Sequence, residues 1–308
     1  YLFFIMKNHY ENNPNRKSLK EIEKDETKLN EEEAENLAKD LKKQLITGVI
    51  PKDDEESISL LIAGLGDKRG LLRRTFSKTL GIIGPKAIPS LINALHHHSD
   101  VTVRRAAAKT LRLTKDPATL PHLLKALTND PDPVVQGSSA AAMAVFGENA
   151  VELLLEVLIN PNSTSMQCGL ASWGIAFIGQ KAPRAIRKAA LLKNNEARAA
   201  AIAALGDQIY ESKDTEAKTL LLNALNDDSA DVRSEATILL EKLSDKELVQ
   251  SLLIKKLSDQ SDSVRKNAAL GLMKIKSRSS LSYLQNQKDK EQNQMVLKVI
   301  DFVIRQIE

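Results

Sequence analysis

A segment of about 32 residues recurs along most of this chain, and this repetition limits the folds available to it. Clear copies begin at Asp100 (DVTVRRAAAKTL), Asp132 (DPVVQGSSAAAM), Asp231 (DVRSEATILL) and Asp262 (DSVRKNAALGL), and a weaker copy begins at Leu71. One column is shared by all copies and holds, in chain order, Arg73, Arg104, Gln136, Cys168, Arg198, Arg233 and Arg265. A unit of this length buries its apolar face only against a neighbouring copy, so the period predicts a stack of similar units.

Each copy contains two amphipathic segments whose apolar residues follow a helical period. In the second segment they fall one residue before the column and three and seven residues after it, as at Val103, Ala107 and Leu111. Spacings of three and four without strict alternation are typical of α-helices. The first segment is shorter, as in TLPHLLKAL from Thr119. We therefore predict an all-α fold, an α-solenoid of about seven helical-pair repeats with helical caps.

The composition changes at both ends of the array. The residues before the first amphipathic segment are rich in Asn, Lys and Glu, and we expect Tyr1 to Ile5 to be an extension upstream of Met6. The predicted organisation is a flexible N-terminal segment (1–30), an N-terminal capping helix (31–56), the repeat solenoid (57–276) and a C-terminal capping helix (277–308).

Charge and composition exclude several classes of function. The 44 Lys and Arg residues against 40 Asp and Glu give a net charge of +4, so no nucleic-acid partner is expected. No apolar run approaches the roughly 20 residues that cross a bilayer, so no membrane insertion is expected. The single Cys excludes an internal disulfide and a multi-thiolate metal site. Because no phosphate loop or catalytic triad motif is present, the pattern predicts a binding scaffold and assigns no catalytic residue.

The arginine column predicts a structural ladder between repeats. An Arg one turn into each second helix, beside an Asp of the same or the adjacent copy, most often pairs with that carboxylate. Gln136 and Cys168 interrupt the column. We expect Cys168 to be a buried, inert thiol, because no His lies close in sequence to activate it. His96, His97 and His98 are predicted to form a solvated cluster at a helix C-terminus, with no metal site.

Residues one, five and eight positions after the column lie opposite the core face of the second helices, and we predict that they line a concave surface. In the first two repeats these positions provide five cations: Arg74, Lys78, Arg105, Lys109 and Arg112. In the next three repeats they hold Gly137, Ala141, Ala144, Gly169, Trp173, Ala176, Ala199, Ala203 and Gly206. Cations that pair with carboxylates and an indole that stacks on a conjugated plane predict a groove for an elongated, flat, carboxylate-bearing ligand. Alternatively, the small residues serve only to let neighbouring helices pack tightly.

The repeats resemble the HEAT-like repeats of phycobilisome bilin lyases of the E/F type. The general resemblance covers about Ser57 to Lys276. GLASWGIAFIG from Gly169 to Gly179 is similar to the central repeat of the branch that acts on phycoerythrin. VRRAAAKTL from Val103 to Leu111 and PVVQGSSAAA from Pro133 to Ala142 are also similar to this family.

The resemblance implies a lyase that binds an open-chain tetrapyrrole, phycoerythrobilin, and attaches it by a thioether to a cysteine of a phycobiliprotein subunit, with phycoerythrin as the expected acceptor. The bilin would be a substrate, and no prosthetic group is implied. A second lyase or chaperone subunit is a further implied partner, and the implied location is the cyanobacterial cytoplasm or the plastid stroma. The resemblance to the family includes Trp173 and its helix. The assignment of the five cations to the ligand site comes instead from their register in the repeats. The alternative is a non-catalytic chaperone or scaffold for phycobiliprotein assembly or turnover.

Overall fold

The computed structural model describes residues 29–210 and 214–308, which form α-helices joined by short turns and 3-10 segments, so the predicted all-α fold is confirmed. Most of the segment predicted to be flexible, including Tyr1 to Ile5, lies outside the described residues. The helices are α1 (Glu31–Thr47), α2 (Glu55–Gly64), α3 (Gly70–Ile83), α4 (Ile88–His97), α5 (Val101–Thr114), α6 (Leu120–Asn129), α7 (Pro133–Ala144), α8 (Glu148–Ile159), α9 (Ser165–Ile178), α10 (Pro183–Ala189), α11 (Asn195–Ala203), α12 (Gly206–Tyr210), α13 (Thr215–Ala224), α14 (Ala230–Leu239), α15 (Lys246–Lys256), α16 (Asp262–Lys274), α17 (Leu281–Lys290) and α18 (Gln294–Ile307).

Polar side chains fix where the second helices begin. The Asp100 carboxylate accepts the Thr102 N–H at 2.7 Å, and the Asn194 side chain accepts the Ala197 N–H at 2.8 Å. Thr164 forms a reciprocal capping box with Gln167 at the start of α9. These caps satisfy backbone donors that the first helical turn leaves unpaired. The column residue therefore lies one turn inside each of these helices.

Three glycines between the helices of successive pairs have positive φ. Gly84, Gly147 and Gly179 have φ of 69°, 60° and 41°, a region that strains residues with a side chain. Gly206 differs from them, because it begins α12 and is buried. Helix α12 is an additional short helix between α11 and α13, which lengthens this repeat.

The described residues fall into two compact units, one ending at Ala142 and one beginning at Met143. In the first unit α2 packs on α3 and α4 packs on α5, while α1 and α5 both contact α3. In the second unit α9, α11, α14, α16 and α18 pack side by side in one layer. Their partners in the other layer are α8, α10, α13, α15 and α17. Each unit therefore stacks helical pairs, as the predicted α-solenoid requires.

Small residues set the spacing between neighbouring helices. The position three residues after the column is fully buried, and in five of the seven copies it holds alanine, as at Ala171 and Ala236. In the first copy it holds Phe76, and a Cβ placed on Gly64 would lie 2.5 Å from its ring. Gly64 is therefore the residue that makes room for the large side chain in this repeat.

The predicted arginine ladder is confirmed. Arg104 donates through Nε and Nη2 to the Asp130 carboxylate at 3.0 and 3.3 Å, and its Nη1 donates to the carbonyls of His98 and Ser99 at 3.1 and 3.2 Å. The same arrangement joins Arg198 to Asp227, Arg233 to Asp259 and Arg265 to Glu291. Each of these arginines therefore fixes the loop before its own helix and pairs with the following repeat.

The ladder is interrupted at three column positions. Gln136 donates to the Asp130 carbonyl at 2.8 Å, and Cys168 is half-buried. Arg73 keeps the bonds to its preceding loop, with Nη1 2.9 Å from the Lys68 carbonyl, but forms no ion pair with the following repeat among the described residues. The sequence explains this difference, because His98 occupies the position that holds Asp130 one repeat later.

The segment predicted to be a C-terminal cap contains two helices, α17 and α18, rather than one. At its serine-rich start, Arg278–Ser280 forms a 3-10 turn and α17 begins directly afterwards. The pair Arg265–Glu291 connects these helices to the preceding repeat, as the ladder does elsewhere.

Candidate functional site

Five exposed cations lie together on neighbouring helices of the first unit. We call this surface the cationic face: Arg74 and Lys78 on α3 with Arg105, Lys109 and Arg112 on α5. None of the five forms an ion pair with a carboxylate in the described ranges. All five side chains are exposed, and their assignment to a concave, ligand-binding surface stays a prediction.

The two helices of the cationic face are held close together. The Thr110 hydroxyl donates to the Ser77 hydroxyl at 2.8 Å, directly beside Lys78 and Lys109 in the sequence. A Cβ on Gly81 would lie 2.8 Å from Leu113, so the helix surfaces touch there. The pKa of Lys109 is lowered, first by burial and then by the charges of its arginine neighbours. These cations repel one another, and an anionic ligand would relieve that repulsion.

A stacked aromatic pair is exposed on α9 in the second unit. The Trp173 and Phe177 side chains are 48% and 51% exposed, and their ring centroids lie 5.5 Å apart at an interplanar angle of 25°. Lys181 Nζ lies 5.1 Å from the Phe177 ring centroid. We call Trp173 and Phe177 the aromatic pair. Large exposed rings beside a cation are typical of binding surfaces for flat, anionic ligands.

The small residues predicted to be exposed have mixed roles. Gly169 and Ala176 are exposed beside Trp173, and a Cβ placed on Gly169 would meet no atom within 4 Å. Ala144 and Gly206 are buried, which corrects the prediction for these two positions. Helices α7 and α11 end at Ala144 and Ala203, so a helical offset no longer describes the direction of residues at and beyond these ends.

Phe177 and Lys181 were not identified from the sequence, although they lie beside Trp173. The offsets used to predict the exposed face were one, five and eight, and Phe177 lies nine residues after the column. A pattern of three side chains at successive spacings of four, Trp173, Phe177 and Lys181, would have identified them, because such residues lie on one face of a helix.

The histidines are less exposed than predicted. His96, His97 and His98 are all half-buried, because α4 packs against α6 and the His96 ring lies 5.7 Å from the His122 ring. Burial, with smaller effects of Lys125 and the neighbouring histidines, lowers the pKa of His96 to about 3. This histidine is therefore neutral at physiological pH. In the described residues no three His, Cys, Asp or Glu side chains are grouped so that they could bind a metal ion.

We expect Cys168→Ser to leave the fold and ligand binding unchanged. The Cys168 thiol donates to the Val157 carbonyl at 4.0 Å, and burial followed by the charge of Glu196 raises its pKa. A thiol with a raised pKa is a poor nucleophile at neutral pH. Reaction of the native protein with Ellman's reagent at pH 8 should be slower than that of free cysteine. Loss of activity in Cys168→Ser with an unchanged melting temperature would contradict this prediction.

Within the described ranges, the helices are too short or too polar to span a membrane.

A family model of HEAT repeats matches residues 58–144, 88–172 and 218–300. The bilin biosynthesis protein MpeU of Synechococcus sp. (strain WH8020) is 46% identical over 219 residues, which cover 71% of this chain and 74% of that protein. The uncharacterized phycocyanin operon protein Z of Pseudanabaena tenuis (strain PCC 7409) is 32% identical over 139 residues, which cover 43% of this chain and 69% of that protein.

Two solved structures are similar to this chain at low sequence identity. The complex of CpcE and CpcF of phycocyanin lyase from Nostoc sp. PCC7120 is 17% identical with a TM-score of 0.32, covering 82% of this chain and 94% of that chain. Kap121p is 12% identical with a TM-score of 0.46, covering 91% of this chain and 42% of that chain.

Proposed function

Because this chain belongs to the HEAT-repeat family of E/F-type bilin lyases and its function is phycobilin-related, we propose that it binds an open-chain tetrapyrrole and attaches it to a phycobiliprotein subunit. The observation that carries this proposal is the exposed aromatic pair with Lys181 beside it. The relative MpeU supports the choice of a bilin as the ligand. Phycoerythrobilin is the proposed bilin, and phycoerythrin is the proposed acceptor.

The aromatic pair matches the chemistry of a bilin. A bilin is a flat conjugated molecule with two propionate carboxylates, so its rings can stack on Trp173 while one carboxylate pairs with Lys181. Exposed Gly169 and Ala176 on the same helix let the ligand approach the backbone closely. All of these groups belong to α9 or the turn that follows it, and they form one local site.

The proposed reaction is a thioether addition. The thiolate of the acceptor cysteine attacks an ethylidene or vinyl carbon of the bilin, the electron pair moves into the tetrapyrrole, and the tetrapyrrole takes up a proton. The atoms balance without an oxidant or a reductant. The acceptor supplies the nucleophile, so this chain needs no catalytic thiol of its own. Its contribution is to orient the bilin and to select the face that is attacked.

The five residues of the cationic face keep their sequence assignment as a predicted second site for carboxylates. The variant Lys78→Glu/Lys109→Glu tests this assignment through bilin affinity.

The proposed location is the cyanobacterial cytoplasm or the plastid stroma, where bilin and acceptor would both be available.

Co-expression tests the proposed function. The chain is produced with enzymes that synthesise phycoerythrobilin and, in separate cultures, with individual phycoerythrin subunits. We expect one subunit to carry a covalent bilin, seen as zinc-enhanced fluorescence on a denaturing gel and as the matching mass increase on a single cysteine peptide. Omission of the chain and replacement of that cysteine by alanine are the controls. If every subunit stays unmodified while its soluble yield increases, the protein is a chaperone and the lyase proposal is wrong.

A further inference from the structure

The cationic face has exposed apolar residues at both ends. On α3 the exposed stripe reads Leu71, Arg74, Lys78 and Ile82, and on α5 it reads Val101, Arg105, Lys109 and Leu113. Spacings of three and four place each stripe along one side of its helix. Leu71 is 72% exposed. Large exposed apolar side chains beside a group of cations are typical of a binding surface. The stripes are apolar at their ends and positive in the middle.

Helix α8 of the second unit carries the complementary pattern. Glu148, Glu152 and Glu156 are exposed at successive spacings of four, and exposed Ile159 follows at the same side of the helix. We call these four residues the acidic stripe. None of its three carboxylates forms an ion pair among the described residues. Burial and then the charge of Glu152 raise the pKa of Glu156, because both disfavour its charged form.

We propose that the cationic face of one copy of this chain binds the acidic stripe on α8 of a second copy. The three carboxylates lie against the lysines and arginines, and Ile159 contacts an apolar end of the two cationic stripes. Each stripe extends over about three helical turns, or roughly 16 Å, so the lengths agree. The close contact of α3 with α5 fixes the spacing of the cations in advance, which reduces the entropic cost of binding.

The chemistry of the cationic face favours a polypeptide over other anions. A nucleic-acid backbone offers no apolar group to Leu71 or Ile82, and its binding sites on proteins are usually longer basic tracks. A ligand with two carboxylates, such as the bilin of the predicted second site, neutralises two of the five cations and leaves the others for another partner. A helix with three carboxylates and an apolar end satisfies both features of the surface, and α8 supplies such a helix.

The two surfaces are different parts of the chain, so the contact is heterologous. A dimer formed in this way retains one unused cationic face and one unused acidic stripe, and growth by the same contact gives rings or short filaments. One helix lying on two others buries an area at the low end of specific interfaces, so we expect a dissociation constant on the order of 10 to 100 µM at low salt. This inference does not depend on the proposed bilin chemistry.

Charge reversal on each surface tests the contact with the full-length chain. We expect the wild-type protein at about 100 µM to exceed the monomer mass in sedimentation velocity at about 20 mM NaCl and to be monomeric at about 500 mM NaCl. Lys78→Glu/Lys109→Glu and Glu152→Lys/Glu156→Lys should each be monomeric at both salt concentrations. An equimolar mixture of the two variants should form a one-to-one dimer that grows no further, because each variant retains the surface that the other has lost.

Lys255→Glu/Lys298→Glu is the matched control, since it makes the same charge change at exposed lysines outside both surfaces. It should self-associate within about threefold of the wild type. The proposal is overturned if the wild type is monomeric at low salt, if the control loses association equally, or if the mixed variants stay apart. It is also overturned if Lys78→Glu/Lys109→Glu loses affinity for a bilin but still self-associates. Melting temperatures of all variants show that each is folded, and Lys78→Gln/Lys109→Gln replaces a reversal that misfolds.

Discussion

Arg233→Leu is expected to lower the melting temperature by roughly 10 °C, because it removes one pair of the arginine ladder. Arg233 and Asp259 are 14% and 7% exposed, and Nη2 lies 2.9 Å from the carboxylate. Arg233 Nη1 also donates to the carbonyls of Asp227 and Asp228 at 2.8 and 3.0 Å. The variant leaves a largely buried carboxylate and two carbonyls without this donor, a loss of about 3 to 5 kcal/mol. Thermal unfolding followed by circular dichroism measures the effect.

Arg73→Leu is the matched control for this prediction. Arg73 donates to its preceding loop in the same way but has no carboxylate partner in the following repeat among the described residues. Its replacement should lower the melting temperature by less than half as much. Arg233→Leu/Asp259→Leu should recover part of the stability lost in the single variant, because the largely buried carboxylate is removed together with the arginine, while Lys256 Nζ, 3.4 Å from that carboxylate, keeps its bond to the Leu225 carbonyl. Equal losses in the two arginine variants would show that the carbonyl bonds, and not the ion pair, stabilise the ladder.

The effect of Arg233→Leu should also depend on pH. Burial alone would raise the pKa of Asp259, but hydrogen bonds from Arg233 and from the Ser261 N–H outweigh burial and lower it below 3.8. A lowered pKa in the folded protein stabilises the fold above that value, and the contribution disappears as the pH falls through it. In the variant the two effects of Arg233 are lost while those of the Ser261 N–H and Lys256 remain, so the pKa of Asp259 rises relative to the wild type. The difference between the two proteins should therefore be largest at neutral pH and decrease as the pH falls below 3.8.

Trp173→Ala is expected to weaken bilin binding about tenfold while changing the melting temperature by less than about 2 °C. The indole is half exposed and stacks on Phe177, so its removal deletes a ligand surface and leaves the core intact. Trp173 is the only tryptophan in the chain, and bilin binding should quench its fluorescence directly. Titration with phycoerythrobilin, followed by bilin absorbance in the variant, measures both affinities.

Phe302→Ala provides the control for loss of an exposed aromatic ring. Phe302 is 48% exposed on α18, away from α9 in the sequence and in the helix order. It should leave bilin affinity within about twofold of the wild type, whereas Trp173→Phe should retain most of the stacking. Unchanged bilin affinity in Trp173→Ala would remove the main support for the proposed site. A large fall in the melting temperature of Trp173→Ala would show that Trp173 is a core residue instead.

The repeat period and the arginine column were sufficient to predict the fold and the ladder, because both depend on residues that recur. The irregular positions were harder to predict. His98 occupies the place of an acid, so Arg73 was assigned a partner that it does not have. Gly206 was placed by extending a helix that ends at Ala203. Phe177 was missed because a single register was applied to every copy, whereas each helix exposes a slightly different stripe.

The spacing of the ladder pairs suggests how an array of this kind can diverge in evolution. Arg233 reaches an acceptor 26 residues ahead, as do Arg104 and Arg265, but Arg198 reaches Asp227 across 29 residues and the pair still closes. The extra residues are accommodated around α12, between the two ends of that pair. Insertions of this size therefore leave the stacking of neighbouring repeats unchanged, and one repeat can acquire a short, mostly buried helix without redesign of the others.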